Sequence, residues 1–309
     1  MKVSAVMTPN AGRFVRSQQL SNLQFALLLT LPVLVFLAVL MAYPLGYAVW
    51  LSLNNIQFIL GQPDIEFVGI GNYIAVYQDL AFWHSVAISL RFTIESVVLA
   101  VGIGLALALV MNAAGERSVL LRTIILVPWA VSLYGTGVMW FYLLSGQSGI
   151  VTTIFQWFGN DRPPNLFSPT TVVEFLAVGN AWNMAPLIAF FLLAGMRTIP
   201  TRLYHLAQID QLGAWGQFIH VTLPPLRFTL FVFVCIATMF SLKMFDYINI
   251  MTRGGPGDAS TVVPYLLYDI SFQQLELGYG AAMSFYLLAL IIVSTLLLYF
   301  AWGRYEEAA

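Results

Sequence analysis

Lysine is nearly absent from this 309-residue chain, which has only Lys2 and Lys243. No G-x-x-x-x-G-K-[ST] stretch surrounds either one, so the chain lacks the cradle and lysine that hold a nucleotide's phosphates. Charge of either sign is scarce. Charged residues make up 9% of the chain and hydrophobic ones 60%, against about 25% charged in soluble domains. A net charge of −1 gives no basic footprint, so nucleic acid is not an expected partner. The lone Cys235 excludes an intramolecular disulfide and any multi-cysteine metal site, and inside an apolar run it reads as a small filler. His84, His205 and His220 show no metal-ligand spacing, and no paired acids stand beside a polar nucleophile. No catalytic residue and no metal ligand is assigned, and the chain is not expected to be an enzyme.

The chain is rich in long apolar runs. Crossing ~30 Å of hydrocarbon takes about 20 residues, and lipid-exposed backbone must satisfy its own hydrogen bonds as helix or closed barrel. Six aperiodic runs qualify as helices, at roughly 25–51, 85–111, 120–144, 170–196, 228–250 and 279–302. The expected fold is an all-α membrane protein of six transmembrane helices, a single domain over 1–309. The first run is longer than a signal-peptide core and no A-x-A site follows it, so it reads as an uncleaved span.

Placing the N-terminus inside puts Lys2, Arg13, Arg16, Arg117, Arg122, Arg197, Arg202, Arg227 and Arg304 on the inner side, with only Arg162 and Arg253 outside. The positive-inside rule then sets both termini in the cytoplasm. Outer loops of some 25–30 residues, about 54–84, 145–169 and 251–278, carry turn signals at Pro163-Pro164 and Gly254-Gly255-Pro256-Gly257. Tyr73, Tyr77, Phe82 and Trp83 suit helices lying at the outer interface. Ala100, Gly104 and Ala108 form a small-residue stripe that admits a close helix neighbour.

Two charge pairs fall inside spans. Arg91 and Glu95 stand four apart, Lys243 and Asp246 three apart. Each charge at mid-bilayer costs about 2.5–3.5 kcal/mol. They read either as neutralised pairs facing a bundle interior or as an ion or proton relay. The relay would make the chain an ion- or proton-coupled secondary carrier, the alternative function. Such carriers often show paired inverted repeats with broken helices, and no such pairing is evident here.

Between the fourth and fifth spans lies a polar interlude, about 198–227, reading TIPTRLYHLAQIDQLGAWGQFIHVTLPPLR. Pro200 can open a helix whose apolar face is Leu203, Leu206, Ala207 and Ile209, and Gly213 can cap it in the left-handed conformation. A second segment, Ala214 to Val221, is expected to end at Leu223-Pro224-Pro225. Such a helix can lie on lipid headgroups or dock into a soluble partner. The lack of Lys and Arg between Arg202 and Arg227 favours the partner.

This interlude resembles the cytoplasmic EAA loop of binding-protein-dependent ABC importer permeases, roughly E-A-A-x-x-D-G-A, then F, then I-x-L-P. Here His205-Leu206-Ala207 opens it, Asp210 holds the acid, and Phe218, Val221, Leu223 and Pro224 follow in register. His205, Gln211 and Leu212 replace the family's glutamate, glycine and alanine. Three more segments resemble the carbohydrate branch with a maltose-type first permease: Phe67-Val68-Gly69-Ile70-Gly71-Asn72-Tyr73, Arg122-Thr123 through Pro128-Trp129, and Phe245-Asp246-Tyr247 with Thr252-Arg253-Gly254-Gly255-Pro256.

The resemblance implies an importer permease of type I fold in a bacterial or archaeal cytoplasmic membrane. It implies a second homologous permease, ATP-binding cassette ATPase subunits that use ATP and Mg, an extracytoplasmic solute-binding protein and a sugar substrate. The chain itself carries no cofactor. His205, Leu206, Ala207, Asp210 and Gly213 would couple to the ATPase. Asn180, Asn183, Met184 and Leu187 follow helical spacing on the fourth span, just before or around Pro186, where a helix break is expected to free backbone groups. Ala237, Phe240, Ser241 and Met244 do the same on the fifth, with Asp246 beyond. By resemblance these positions line an intramembrane sugar site.

Overall fold

The computed structural model describes residues 22–59, 62–115, 119–144, 149–159 and 167–306. Lys2, Arg13, Arg16, Arg117, Asp161, Arg162 and the Pro163-Pro164 turn lie outside them. The described residues divide into two compact units between Val49 and Trp50. Helix α1 (Asn22–Ser52), most of which forms the first, contains Pro32 and Pro44, and Tyr43 stacks on Tyr47 with centroids 6.3 Å apart.

The second unit opens with a hairpin, β1 (Asn54–Ile59) and β2 (Gln62–Phe67), antiparallel with Asn54 opposite Phe67 and Ile56 opposite Ile65. The helical expectation did not include it. Its unpaired edges are tolerable only outside hydrocarbon. Helix α2 (Gly71–Gln78) follows, and the Asn72 amide donates to the carbonyls of Ser52 and Asn54, both at 3.0 Å.

Helix α3 (Leu80–Ala113) is capped by the Asp79 carboxylate, which accepts from the Ala81 amide at 2.8 Å. Then come α4 (Val119–Ala130), α5 (Leu133–Leu144) and α6 (Ile150–Trp157), followed by α7 (Val172–Arg197). The interlude forms α8 (Thr201–Ile209) and α9 (Ala214–Gln217), which leads through a π-helical turn at Phe218–Thr222 into α10 (Leu223–Leu242). The chain ends with α11 (Asp246–Met251), α12 (Val263–Tyr268), a second π turn at Asp269–Gln273, and α13 (Leu277–Glu306).

Among the described residues, five helical stretches are long and apolar enough to cross a membrane: Gln24–Ser52, Leu80–Ala113, Val172–Arg197, Ala214–Leu242 and Leu277–Trp302. The sixth expected span is not straight. It is the pair α4 and α5, bent by 95° at Val131-Ser132.

Helices α3 and α7 form the axis of the second unit. Arg91 meets Glu174, 83 residues on, and Gly104 meets Ile188, one residue more, so the two helices run in the same direction in constant register. A Cβ on Gly104 would stand 2.9 Å from the Ile188 Cβ and 3.1 Å from the Ala185 carbonyl, which is the close approach that the small-residue stripe predicts. Ala100 and Ala108 are buried in the same core, with Leu192, Leu193 and Leu226.

The Arg91–Glu95 pair forms at 2.9 Å, and Glu174 of α7 joins it as a third member. Lys243 and Asp246 do not pair. The fifth span breaks between α10 and α11, which destroys their shared helix face, and Lys243 instead sits 4.4 Å from the Phe240 ring centroid.

Two further expectations are corrected. α7 runs unbroken through Pro186. The helix after α9 does not stop at Pro224. The π turn, with the Leu223 amide donating to the Phe218 carbonyl, places Pro224 and Pro225 in the first turn of α10, where their missing N–H groups cost little.

Candidate functional site

The break in the third span makes the site. Where α4 gives way to α5 the regular ladder ends: the Pro128 carbonyl keeps only a tight 3.3 Å bond from the Val131 amide, and the Val131 carbonyl needs a donor from outside the helix. Asn183 of α7 supplies it, donating to Pro128 at 2.8 Å, Val131 at 3.1 Å and the Thr136 hydroxyl at 3.3 Å. The hydroxyl of Ser132 in turn accepts from the Gly135 amide at 3.1 Å and caps α5.

Beside this joint lies a cavity of about 300 Å³, at the lower end of ligand-pocket size. Asn180, Asn183, Met184 and Leu187 line it from α7, and Phe240 and Met244 from the fifth span. Trp129 and Ser132 of the joint, with Phe233 and Ile236 of α10, complete much of the wall and were not singled out from sequence. Trp129 belongs to the Pro128-Trp129 motif, so that motif was the available signal.

Asn180 is almost wholly buried. Its amide nitrogen donates to the Ser241 hydroxyl at 3.1 Å, while its Oδ1 has no partner among the described residues. Three expected lining residues are corrected. Ala237 is 1% exposed, packed in the helix interior outside the cavity wall, and Ser241 serves Asn180 from behind. Asp246 is exposed at the first residue of α11, past the break and away from the cavity. No charged side chain lines the cavity.

The interlude is an elbow. The Tyr204 and Thr222 hydroxyls join its two arms at 3.0 Å, and the Gln217 amide donates to the Leu212 carbonyl at 2.9 Å. Leu203, Leu206, Ile209 and Trp215 are exposed on it, and Trp215 stacks on Phe218. His205 and Asp210 are exposed as well. Ala207 is not. At 4% exposure it packs against its own chain and cannot fill a partner's cleft, which corrects its expected role.

Gly213 is corrected too. It is extended (φ −64°, ψ 174°), and the left-handed residue is Gln211 at φ 56°. The Leu212 amide reaches the Ala207 carbonyl at 2.9 Å and the Gln211 amide the Gln208 carbonyl at 3.0 Å, the double bond of a Schellman cap. The turn therefore sits where the resemblance places a glycine, although this chain has glutamine there.

Residues 99–301 match the family described as binding-protein-dependent transport system inner membrane component. The chain belongs to that family. It is 31% identical over 281 residues to the trehalose/maltose transport system permease protein MalF of Thermococcus litoralis, covering 91% of this chain and 94% of that one. It is 29% identical to the sulfoquinovosyl glycerol transport system permease protein SmoG of Agrobacterium fabrum, covering 92% of both. A solved bacterial ABC transporter that imports alginate shares the fold, with a TM-score of 0.75 at 22% identity over 91% of this chain and 95% of that one. This permease is a membrane transport subunit, not an enzyme, and the secondary-carrier alternative falls with that membership.

Proposed function

We propose that this permease is one transmembrane subunit of an ATP-driven importer of a sugar or related small carbohydrate. The observation that carries the reading is the cavity at the α4–α5 joint, uncharged and aromatic-walled, with Asn180, Asn183 and Ser132 as the polar residues of its wall. Trp129 and Phe240 offer flat apolar surface for a sugar ring. The names of the relatives, a trehalose/maltose and a sulfoquinovosyl glycerol permease, support the substrate class.

The assembly supplies what this chain lacks: a second homologous permease, ATPase subunits binding ATP and Mg, and a solute-binding protein on the extracytoplasmic side. The exposed Leu203, Leu206, Ile209 and Trp215 form the face that seats on the ATPase. Closure of the ATPase pair then drives the elbow as a rigid lever. The charge pattern supports a reading with both termini in the cytoplasm of a bacterial or archaeal cell, the multi-pass chain in the inner membrane and lipid around its spans.

The test is uptake of labelled trehalose, maltose, sulfoquinovosyl glycerol and alginate oligosaccharides by cells with and without this chain. Loss of at least one uptake on deletion supports the reading, and identical uptake of every sugar overturns it.

A further inference from the structure

The chain segment after α11 builds a second cleft, separate from the cavity at the α4–α5 joint. It measures about 460 Å³ and is lined by Asn249, Ile250, Arg253, Tyr265, Tyr268, Asp269 and Gln273. A neighbouring hollow of about 320 Å³ shares Arg253, Tyr265 and Asp269 and is rimmed by His84 and Asp258, paired at 3.5 Å. The charge pattern assigns this side to the extracytoplasmic face.

The loop beneath the cleft is a built scaffold. The Ser260 hydroxyl donates to the Gly255 carbonyl at 2.6 Å and lies 2.8 Å from the Thr252 hydroxyl, and the Thr261 hydroxyl donates to the Gly254 carbonyl at 3.1 Å. Gly254 has φ +78°, and a Cβ there would come within 2.7 Å of the Tyr265 ring. The Gly-Gly-Pro motif thus lets Tyr265 close over the loop and holds Arg253, itself left-handed at φ 50°, at the cleft wall. Burial, then the Asp269 carboxylate, push the Tyr265 phenol above its ordinary range while Arg253 opposes, which places all three groups within each other's field.

We propose that this cleft is a vestibular saccharide site that receives the sugar before it enters the cavity. The proposal rests on the sugar-importer reading above. The cleft pairs two tyrosine rings, which suit the C–H face of a pyranose, with donors and acceptors of both signs, which suit adjacent hydroxyls. Arg253 presents a fork of donors and Asp269 acceptors, while Asn249 and Gln273 offer both. The Tyr268 ring packs at a tilt of 45° against Phe245, with centroids 4.8 Å apart. Phe245 is bonded to Met244, which lines the cavity. Phe245 thus touches a ring of the cleft and is bonded to a residue of the cavity, so both chambers flank the break between α10 and α11.

A sugar that leaves its binding protein and finds no vestibular site escapes outward while ATP is still hydrolysed. The test uses the full reconstituted transporter with its binding protein, loaded with whichever sugar of the uptake panel the wild type moves. Tyr268→Ala and Asn249→Ala are expected to lower sugar moved per ATP about threefold to tenfold, the worth of one such contact. The half-saturating concentration of loaded binding protein stays unchanged, and Tyr268→Phe, which keeps the ring, retains most transport. Arg253→Ala and Gln273→Ala alter exposed side chains and give the same reading if the tyrosine variant does not assemble. Wild-type yield in all these variants overturns the proposal while leaving the importer reading intact. A raised half-saturating concentration with normal yield also overturns it, by showing that the cleft docks the binding protein itself. A wild type that moves no sugar removes the importer reading, and the vestibule with it.

Discussion

Asn183 holds the carbonyl of Pro128 at 2.8 Å, a side chain of one span closing the wound in another. With the Val131 and Thr136 contacts it binds both sides of the 95° bend. Asn183→Leu leaves the Val131 carbonyl without its donor and the Pro128 carbonyl with only the Val131 amide, at about 1–3 kcal/mol for an unmet buried group. The expected result is a lower midpoint of thermal unfolding in detergent and loss of assembled transporter. Unchanged melting would show that the bend stands without it.

Asn180 makes one internal hydrogen bond and leaves Oδ1 unmet, so its replacement separates packing from recognition. Asn180→Ala is expected to cut transport about threefold to tenfold, for a lost hydrogen bond of about 0.5–1.5 kcal/mol to a neutral ligand. Assembly with the ATPase persists. Ser241→Ala removes only the internal bond and is expected to leave transport closer to wild type. Equal transport defects in both variants would assign Asn180 to packing.

Gln211 occupies a left-handed position without being glycine. Gln211→Gly removes a conformational penalty on the order of 1 kcal/mol and is expected to raise thermal stability while keeping transport per ATP. Gly213→Val is expected to be mild, because Gly213 is extended and a Cβ there has open space. Transport and ATPase rates measured together in proteoliposomes check both. Uncoupling by Gly213→Val alone would return the turn to that residue.

The elbow's exposed apolar face gives a sharper disruption. Leu206→Asp and Trp215→Ala are expected to weaken capture of the ATPase and to halt transport, with binding protein still docking outside. Co-purification of ATPase with the solubilised permease measures it, and full recovery with both variants would move the seat elsewhere.

Much of this architecture was legible in the residues. The span count followed from length and hydropathy, because hydrocarbon leaves the backbone few options. Cavity residues on α7 followed from helical spacing, since an unbroken helix keeps that spacing true. Errors gathered where helices break or change pitch. Spacing of three placed Lys243 beside Asp246 only if one helix carried both, and the chain breaks between them. Pro186 and Pro224 each signalled an interruption, but α7 passed through the first and a π turn absorbed the second. Glycine accepts the left-handed conformation most easily, which points to Gly213, whereas the hydrogen bonds of the Schellman cap fix it at Gln211. Ala207 is apolar like Leu206, and only the packing of the elbow tells which of the two faces inward.

Gly104 locks α3 to α7, so a larger side chain there tests the register. Gly104→Val is expected to destabilise by about 1–3 kcal/mol, the range for overpacking a close helix contact. Pairing it with Ile188→Ala should recover part of the loss in a double-mutant melting series. Additive losses would show that the two positions do not share the contact.

That register makes α3 and α7 a keel. Matched side by side from Arg91 to Gly104 and beyond, they have no fractional slip open to them, and the next fit lies a full turn, about 5.4 Å, away. The two jointed spans lack such continuous helix at Val131-Ser132, where Asn183 is the tie, and at residues 243–245, and both joints border the cavity. The cavity thus has one still wall, bearing Asn180 and Asn183, and one hinged wall, bearing Trp129, Phe240 and Met244. A ligand would keep its polar anchor through the whole stroke and exchange only the aromatic and thioether surfaces that slide across it.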